Sequence, residues 1–349
     1  MIWPVLETLA VIEPHLPHSL ISRRAFSYIK SLTQQLPDAT SSYYLECPLI
    51  RNSSQVDLLA CVKAANQGRE RLLQWLRGKS LTEFSSMKRV LDFCSDWTKK
   101  KSPLHQQVPH IWLEFDQSTS LNNVPCPNIL FCLDPLYFMR RSKPSQANYL
   151  SASRYQRIVT SALTTLLGQP ISPVIRQQLF SCFKKLPPGG QLLHVSVMLA
   201  RNPTLIKLNL EVPKEQFHSY LQRIGWTGSL AAVEFLLLTY CSFSDRIKFQ
   251  LAITESFLPR VELEFHFNDE VETAPKMQIL LERMEVARLC SRQHRNVLAR
   301  WPGTFHHTFS HHSWPTRLYR WLDVKLVYHF HRPLSAKAYL GFMPSPSIF

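Results

Sequence analysis

The sequence predicts an α+β fold: a closed antiparallel β-barrel of repeated αββα units with a polar, mostly basic lumen and an outer ring of helices. Three observations carry this expectation. Strand-like alternation comes in adjacent pairs that recur four times, with helical stretches between them. Each of these strands has one apolar and one polar face. Only 9 glycines occur in 349 residues, and neither G-x-G-x-x-G nor G-x-x-x-x-G-K-[ST] is present, which sets aside the glycine-loop nucleotide-binding folds.

The pairs are HIWLEFD at 110–116 with NILFCLD at 128–134, LLHVSVMLA at 192–200 with LIKLNLEV at 205–212, RIKFQLAI at 246–253 with RVELEFHF at 260–267, and VKLVYHFH at 324–331 with AKAYLGF at 336–342. RNPT at 201–204 and RPLS at 332–335 are hairpin-length turns. Helical patterning fills 149–167, 174–185, 214–224, 229–238, 276–289 and 293–301, with Pro213 and Pro275 where a first helical turn tolerates proline. Residues 98–107, 139–148 and 184–191 read as loops. SSYYLECPL at 41–49 is a weaker sign of a fifth unit inside a mostly helical N-terminal part, residues 1–104. Residues 105–345 hold the four clear units, and the chain reads as a single domain.

The two faces are clean. Arg246, Lys248, Gln250 and Ala252 oppose Ile247, Phe249, Leu251 and Ile253, and Arg260, Glu262, Glu264 and His266 oppose Val261, Leu263, Phe265 and Phe267. Other polar faces carry Glu114 and Asp116; Lys207, Asn209 and Glu211; Lys325, Val327, His329 and His331; and Lys337, Tyr339 and Gly341. The amphipathic helices pack on the apolar faces. The polar faces then either meet water in an open sheet or line the lumen of a closed one. Eight strands suffice for a ligand-holding barrel, and closure removes exposed edges. Tyr339, His266 and His329 are also unlike the Thr, Ser, Lys and Glu of a solvated face.

Lys and Arg exceed Asp and Glu by 15. Such a surplus implies an anionic partner: nucleic acid, a membrane surface or a phosphorylated small molecule. Eight cysteines without a C-x-x-C read as reduced, mostly buried thiols of an intracellular protein. The opening MIWPVLETLAVIEPH lacks a basic leader, and no apolar run reaches the ~18 residues of a membrane helix, so a cytoplasmic protein without a membrane span is expected.

LIKLNLEVPKEQFHSYLQRI at 205–224, a strand with one inward lysine running into a helix, and AKAYLGF with its K-x-Y carry a resemblance. With the repeat order and the polar-in, apolar-out inversion over residues 105–345, the chain resembles the ABBA-type (PT-barrel) aromatic prenyltransferases. Within them it looks closest to the peptide prenyltransferases of cyanobactin pathways. The resemblance implies transfer of an isoprenoid group from an allylic diphosphate to an aromatic or other nucleophilic side chain of a peptide natural product. It casts Lys207, Arg246, Lys248, Arg260, Lys325, Lys337 and Tyr339 as donors to the departing diphosphate. Trp112, His266 and His329 would line the carbocation and the acceptor, with Trp112 and Tyr339 as the aromatic walls. Glu114, with Asp116 in reserve, would take the acceptor proton. Some members need Mg²⁺ and others do not. NDEVE at 268–272 is not the aspartate-rich D-D-x-x-D, so Mg²⁺ stays open, no residue is assigned to a metal, and no organic cofactor is expected.

His306, His307, His311 and His312 cluster in FHHTFSHHSW, but no carboxylate or cysteine joins them; the segment reads as a loop near the barrel mouth. KKK at 99–101 and RR at 140–141 read as solvated loop charge, and no G-x-S-x-G is present. Two other functions fit part of this pattern. A non-catalytic barrel for a phosphorylated or lipidic ligand keeps the fold and loses the chemistry. A nucleic-acid-binding protein predicts outward basic stripes, whereas the strands turn many basic residues inward.

Overall fold

The computed structural model describes residues 3–50, 55–79, 85–117, 125–134, 151–310 and 314–346. Its strands are β1 (Thr40–Pro48), β2 (Asp57–Lys63), β3 (His110–Phe115), β4 (Asn128–Cys132), β5 (Gln191–Met198), β6 (Asn202–Pro213), β7 (Arg246–Ile253), β8 (Phe257–Phe267), β9 (Gly303–His307), β10 (Thr316–His329) and β11 (Arg332–Pro346). Its helices are α1 (Val5–Ile12), α2 (Arg23–Thr33), α3 (Gly68–Arg77), α4 (Ser86–Thr98), α5 (Pro103–Gln107), α6 (Ala152–Leu167), α7 (Pro173–Lys184), α8 (Lys214–Ile224), α9 (Leu230–Tyr240), α10 (Ala274–Val286) and α11 (Arg292–Ala299). None of them is long and apolar enough to cross a membrane.

Serine starts most of the long helices. Ser22, Ser85, Ser151, Ser172, Ser229 and Ser291 each accept a hydrogen bond from the backbone N–H three residues on. Each such cap is worth about 1 kcal/mol against alanine. Pro173 and Pro275 occupy first-turn positions where no N–H is needed.

β1 through β8, β10 and β11 pair antiparallel in that order, and β11 returns to β1, closing a ten-stranded barrel. The weak fifth unit at 41–49 is therefore a full member: β1 supplies one side of the closing seam. Outward side chains such as Phe115, Phe131, Phe249, Leu208 and Leu263 are buried under the helices in one continuous apolar layer. Seven of the eight cysteines are buried.

Several local expectations change. Arg332 opens β11 opposite His329, so the turn lies before 332 and not over 332–335. Likewise Asn202 opens β6, one residue into the predicted RNPT turn. Both strands extend because pairing across the ladder satisfies backbone groups that a loop would leave to water. Residues 98–107 are largely helical, α5 starting from Ser102 as cap and Pro103 as first residue. His306 and His307 lie on a strand and not in a loop: β9 pairs with Thr316–Arg320, the part of β10 that runs past the end of β8. Residues 139–148, with Arg140 and Arg141, and His311 and His312 lie outside the described residues.

Candidate functional site

Closure turns the polar faces into a lumen. At one end the strands join helices, and this rim carries Lys63, His110, Cys132, His194, Arg246 and His266; at the other they turn through hairpins, and this rim carries Asp57, Asp116, Arg201, Arg260 and His329.

The lining is not mostly basic. Lys63, Arg201, Lys207, Arg246, Lys248, Arg260, Lys325 and Lys337 share the lumen and its rims with Glu46, Asp57, Glu114, Asp116, Glu211, Glu262, Glu264 and Asp323, one carboxylate for each cation. The surplus of 15 positive charges therefore lies elsewhere in the chain. Burial is the reason: cations out of water need anionic partners, so the sequence supplies them strand by strand. Lys337 bonds Glu46 at 2.5 Å, Arg260 bonds Glu262 at 2.7 Å, Lys325 sits 3.5 Å from Glu264 and Lys207 3.7 Å from Glu262. Burial opposes ionisation of Glu46, yet the charge and hydrogen bond of Lys337 outweigh it and hold the carboxyl down at about 2. Glu262 is held lower still, by Lys207 and Arg260 against its burial.

The expected diphosphate donors do not converge. Arg246 lies at the helical rim, bonded to Glu211 and to the carbonyl of Gly189, and Arg260 lies at the hairpin rim. Lys207, Lys325 and Lys337 meet in the middle, where Lys325 Nζ stands 4.9 Å from the Tyr339 ring centre. His329 faces Arg260 and Arg332 at the hairpin rim, the opposite end from His266, so the two do not line one acceptor surface. Alternation along their strands gives the two the same expected face; height along the barrel needs the register, which the sequence does not show.

Glu114 and Asp116 form part of a hairpin-end plug. Arg201, from the β5–β6 turn, reaches across to Glu114 at 2.7 Å, to Asp57 at 3.4 Å and in short contact to Asp116. Burial and the nearby Glu46 raise the Glu114 carboxyl above its ordinary value, against the pull of Arg201. Arg201 was legible only as a turn residue.

The helical half is aromatic. Tyr44, Trp112, Tyr319, Trp321 and Tyr339 pack as one buried cluster with Leu59 and Cys61. Tyr44 and Trp112 lie 5.1 Å apart, and Tyr339 meets Tyr44 edge-on. Gly341 makes room for this: an added Cβ would stand 2.2 Å from the Trp321 ring. Gly341→Ala is expected to destabilise the fold by about 1–3 kcal/mol through overpacking and to shift tryptophan emission. An unchanged denaturant midpoint would contradict the close approach.

From the cluster a polar chain leads outward. Trp321 donates from Nε1 to the Tyr44 hydroxyl at 2.7 Å, Tyr44 donates to Asp323 Oδ2 at 2.5 Å, and His266 Nδ1 meets Asp323 Oδ1 at 2.5 Å. Asp323 is buried, but the charge and hydrogen bond of His266 and the Tyr44 hydroxyl hold its carboxyl below the ordinary value. His266 is exposed. Neither Tyr44 nor Asp323 was marked by any sequence motif; Asp323 shares the Lys325 face and was open to the alternation argument.

Two spaces meet this chain. A cavity of about 40 Å³ lies inside the barrel among Tyr44, Trp112, His194, Asn209, Asp323, Lys325 and Tyr339. Its volume is that of about one water, so a larger group enters only as the lining side chains move apart. A cleft of about 620 Å³ opens at the helical rim along Arg246, Lys248, Glu264, His266, Phe243 and Lys276, within the usual range for ligand sites.

No family model and no curated protein matches the chain. The solved structure of a 6-dimethylallyl tryptophan synthase superposes on it with a TM-score of 0.50 at 11% identity, over 98% of each chain. The shared feature is the fold, the closed antiparallel barrel of the ABBA (PT-barrel) class inside its helical jacket.

Proposed function

We propose that this chain transfers an isoprenoid group from an allylic diphosphate to an aromatic or other nucleophilic acceptor. The observation that carries the reading is the junction inside the barrel, where the aromatic walls of Tyr44, Trp112 and Tyr339 meet the buried lysines around Lys325. The allylic C–O bond breaks, leaving a carbocation and diphosphate. The aromatic faces stabilise the cation. Lys325, Lys207 and Lys337 receive the diphosphate, which takes the place of Glu264, Glu262 and Glu46 as their counter-anions. The acceptor enters from the cleft beside His266, forms the new bond to the cation and releases its proton to Asp323, with His266 as the outlet to solvent. Asp323, and not Glu114, is the base in this scheme, because Glu114 is engaged by Arg201 while Asp323 borders the cavity. A peptide side chain is the acceptor favoured by the open cleft together with the cyanobactin-type sequence resemblance.

Glu46, Glu114, Glu262 and Glu264 each sit within 3.5 Å of a Lys or Arg, so these four are engaged by protein cations and not left for Mg²⁺. No step is assigned to the ion.

A specific observation favours a second reading, a non-catalytic binding barrel: the central cations are already paired and the inner cavity is small. Incubation with dimethylallyl, geranyl or farnesyl diphosphate and a panel of aromatic peptides separates the two. Prenyl transfer gives a mass gain on the acceptor. Calorimetric binding of a diphosphate without any adduct would support the second reading, and neither binding nor adduct would overturn both.

A further inference from the structure

We propose that His110, Cys132 and His194 form a site for a soft, thiophilic d¹⁰ metal ion, Zn²⁺ or Cu⁺, inside the barrel wall. They come from three neighbouring strands. Cys132 of β4 pairs directly with His194 of β5, and the β3–β4 register, Ile111 opposite Phe131, brings His110 opposite Cys132 one pair further on. All three are buried, and one nitrogen of each imidazole and the Cys132 Sγ lie within 4.8 Å of one another. Tetrahedral donors around an ion with bonds of about 2.0–2.3 Å stand roughly 3.3–3.8 Å apart, so side-chain rotations of about 1 Å complete the set.

The chemistry of the set is selective. Two imidazoles and a thiolate suit zinc and copper and not the hard oxygen-seeking ions. The backbone N–H of Asp134 donates to the Cys132 Sγ at 3.4 Å, an outer bond of the kind that steadies a metal-bound thiolate. Lys63 acts on His110, and Lys248 and Lys325 on His194. These charges oppose net positive charge at the site. Two neutral imidazoles and one thiolate leave a net charge of about +1 with Zn²⁺ and about zero with Cu⁺, so the lysines favour Cu⁺. The ladder fixes the three Cα positions, so the donors are held by the sheet and not by loops.

The site is independent of the proposed transfer reaction, although His194 also borders the inner cavity. The test uses the reduced full-length protein, titrated separately with Zn²⁺ and with Cu⁺ against a chromophoric chelator, and X-ray absorption at the edge of the bound metal. The expected result is one ion per chain, with one sulfur and two imidazoles around it. Cys132→Ser and His194→Gln should weaken binding by more than the roughly 10–100-fold that loss of an outer-shell partner costs, while Cys182→Ser on α7 leaves it unchanged. Absence of stoichiometric binding, or a shell without sulfur, overturns the assignment, as does affinity retained in both ligand variants. Should the ligand variants fail to fold, the shell of the wild-type protein decides by itself.

Discussion

Glu262→Ala is expected to lower the stability of the fold by about 3–5 kcal/mol, the range for removing one partner of a buried ion pair. Glu262 is buried, Arg260 bonds it at 2.7 Å, and Lys207 stands 3.7 Å away. The substitution leaves both cations in a lumen whose remaining carboxylates are engaged by other cations. Against a typical stability of about 5–15 kcal/mol, this leaves a marginal protein at best. Denaturant unfolding at neutral pH measures it, and a cost under ~1 kcal/mol would mean that water solvates these cations. Acid provides a second reading of the same pairs. Glu46 and Glu262 have folded-state values below their unfolded ones, so their stabilisation is intact above the ordinary carboxylate range. It is lost as pH falls through that range toward about 2, the folded value of Glu46. The wild type should therefore lose stability on acidification, and Glu262→Ala should lose less over the same interval because one of the two contributions is already gone.

Asp323→Asn is expected to reduce kcat by about 10²–10⁴-fold, the usual contribution of a positioned proton acceptor, with little change in donor binding. The amide keeps the shape and can still accept from Tyr44, so the barrel should remain folded; what disappears is a site for the proton. Asp323 is ionised across neutral pH in the wild type because His266 and Tyr44 stabilise its charge. His266→Gln should give a smaller loss, since Asp323 still accepts the proton and only its outlet is impaired. Single-turnover kinetics with saturating donor separate chemistry from binding. Turnover within twofold of wild type in Asp323→Asn would remove Asp323 from the reaction and return attention to Glu114.

The barrel was legible because alternation is a local property. Ile247, Phe249 and Leu251 on one side and Arg246, Lys248 and Gln250 on the other assign faces without knowledge of any neighbour. What was not legible is everything that depends on the neighbour. The positive lysines were visible along their strands, but Glu46 against Lys337 and Glu264 against Lys325 are cross-strand facts, so the lumen was read as basic when it is balanced. His266 and His329 carried equal inward signals and lie at opposite rims. The ends of β10 and β11 were missed because pairing with each other, and with β9, extends them beyond what local propensity supports. Tyr44 sits in the weakest of the strand signals, yet it joins the aromatic cluster to Asp323. Likewise His110, Cys132 and His194 have no common spacing in the chain; only the register of three strands makes them neighbours.

The pairing of β1 with β11 also sets a timetable. Glu46 and Lys337 are 291 residues apart, so a chain emerging from its N-terminus has its first strand long before the partner that covers it exists. Until β11 arrives, nine barrel strands can form only an open, twisted sheet with β1 and β10 as bare edges. Contacts of such long range make for slow folding, and bare edges invite pairing with another copy. Closing the seam also expels water from the lumen at once, so the desolvation of its carboxylates and lysines falls in the last step. The rate of that step, and not the propensity of any strand, governs how long a newly made chain stays vulnerable to aggregation.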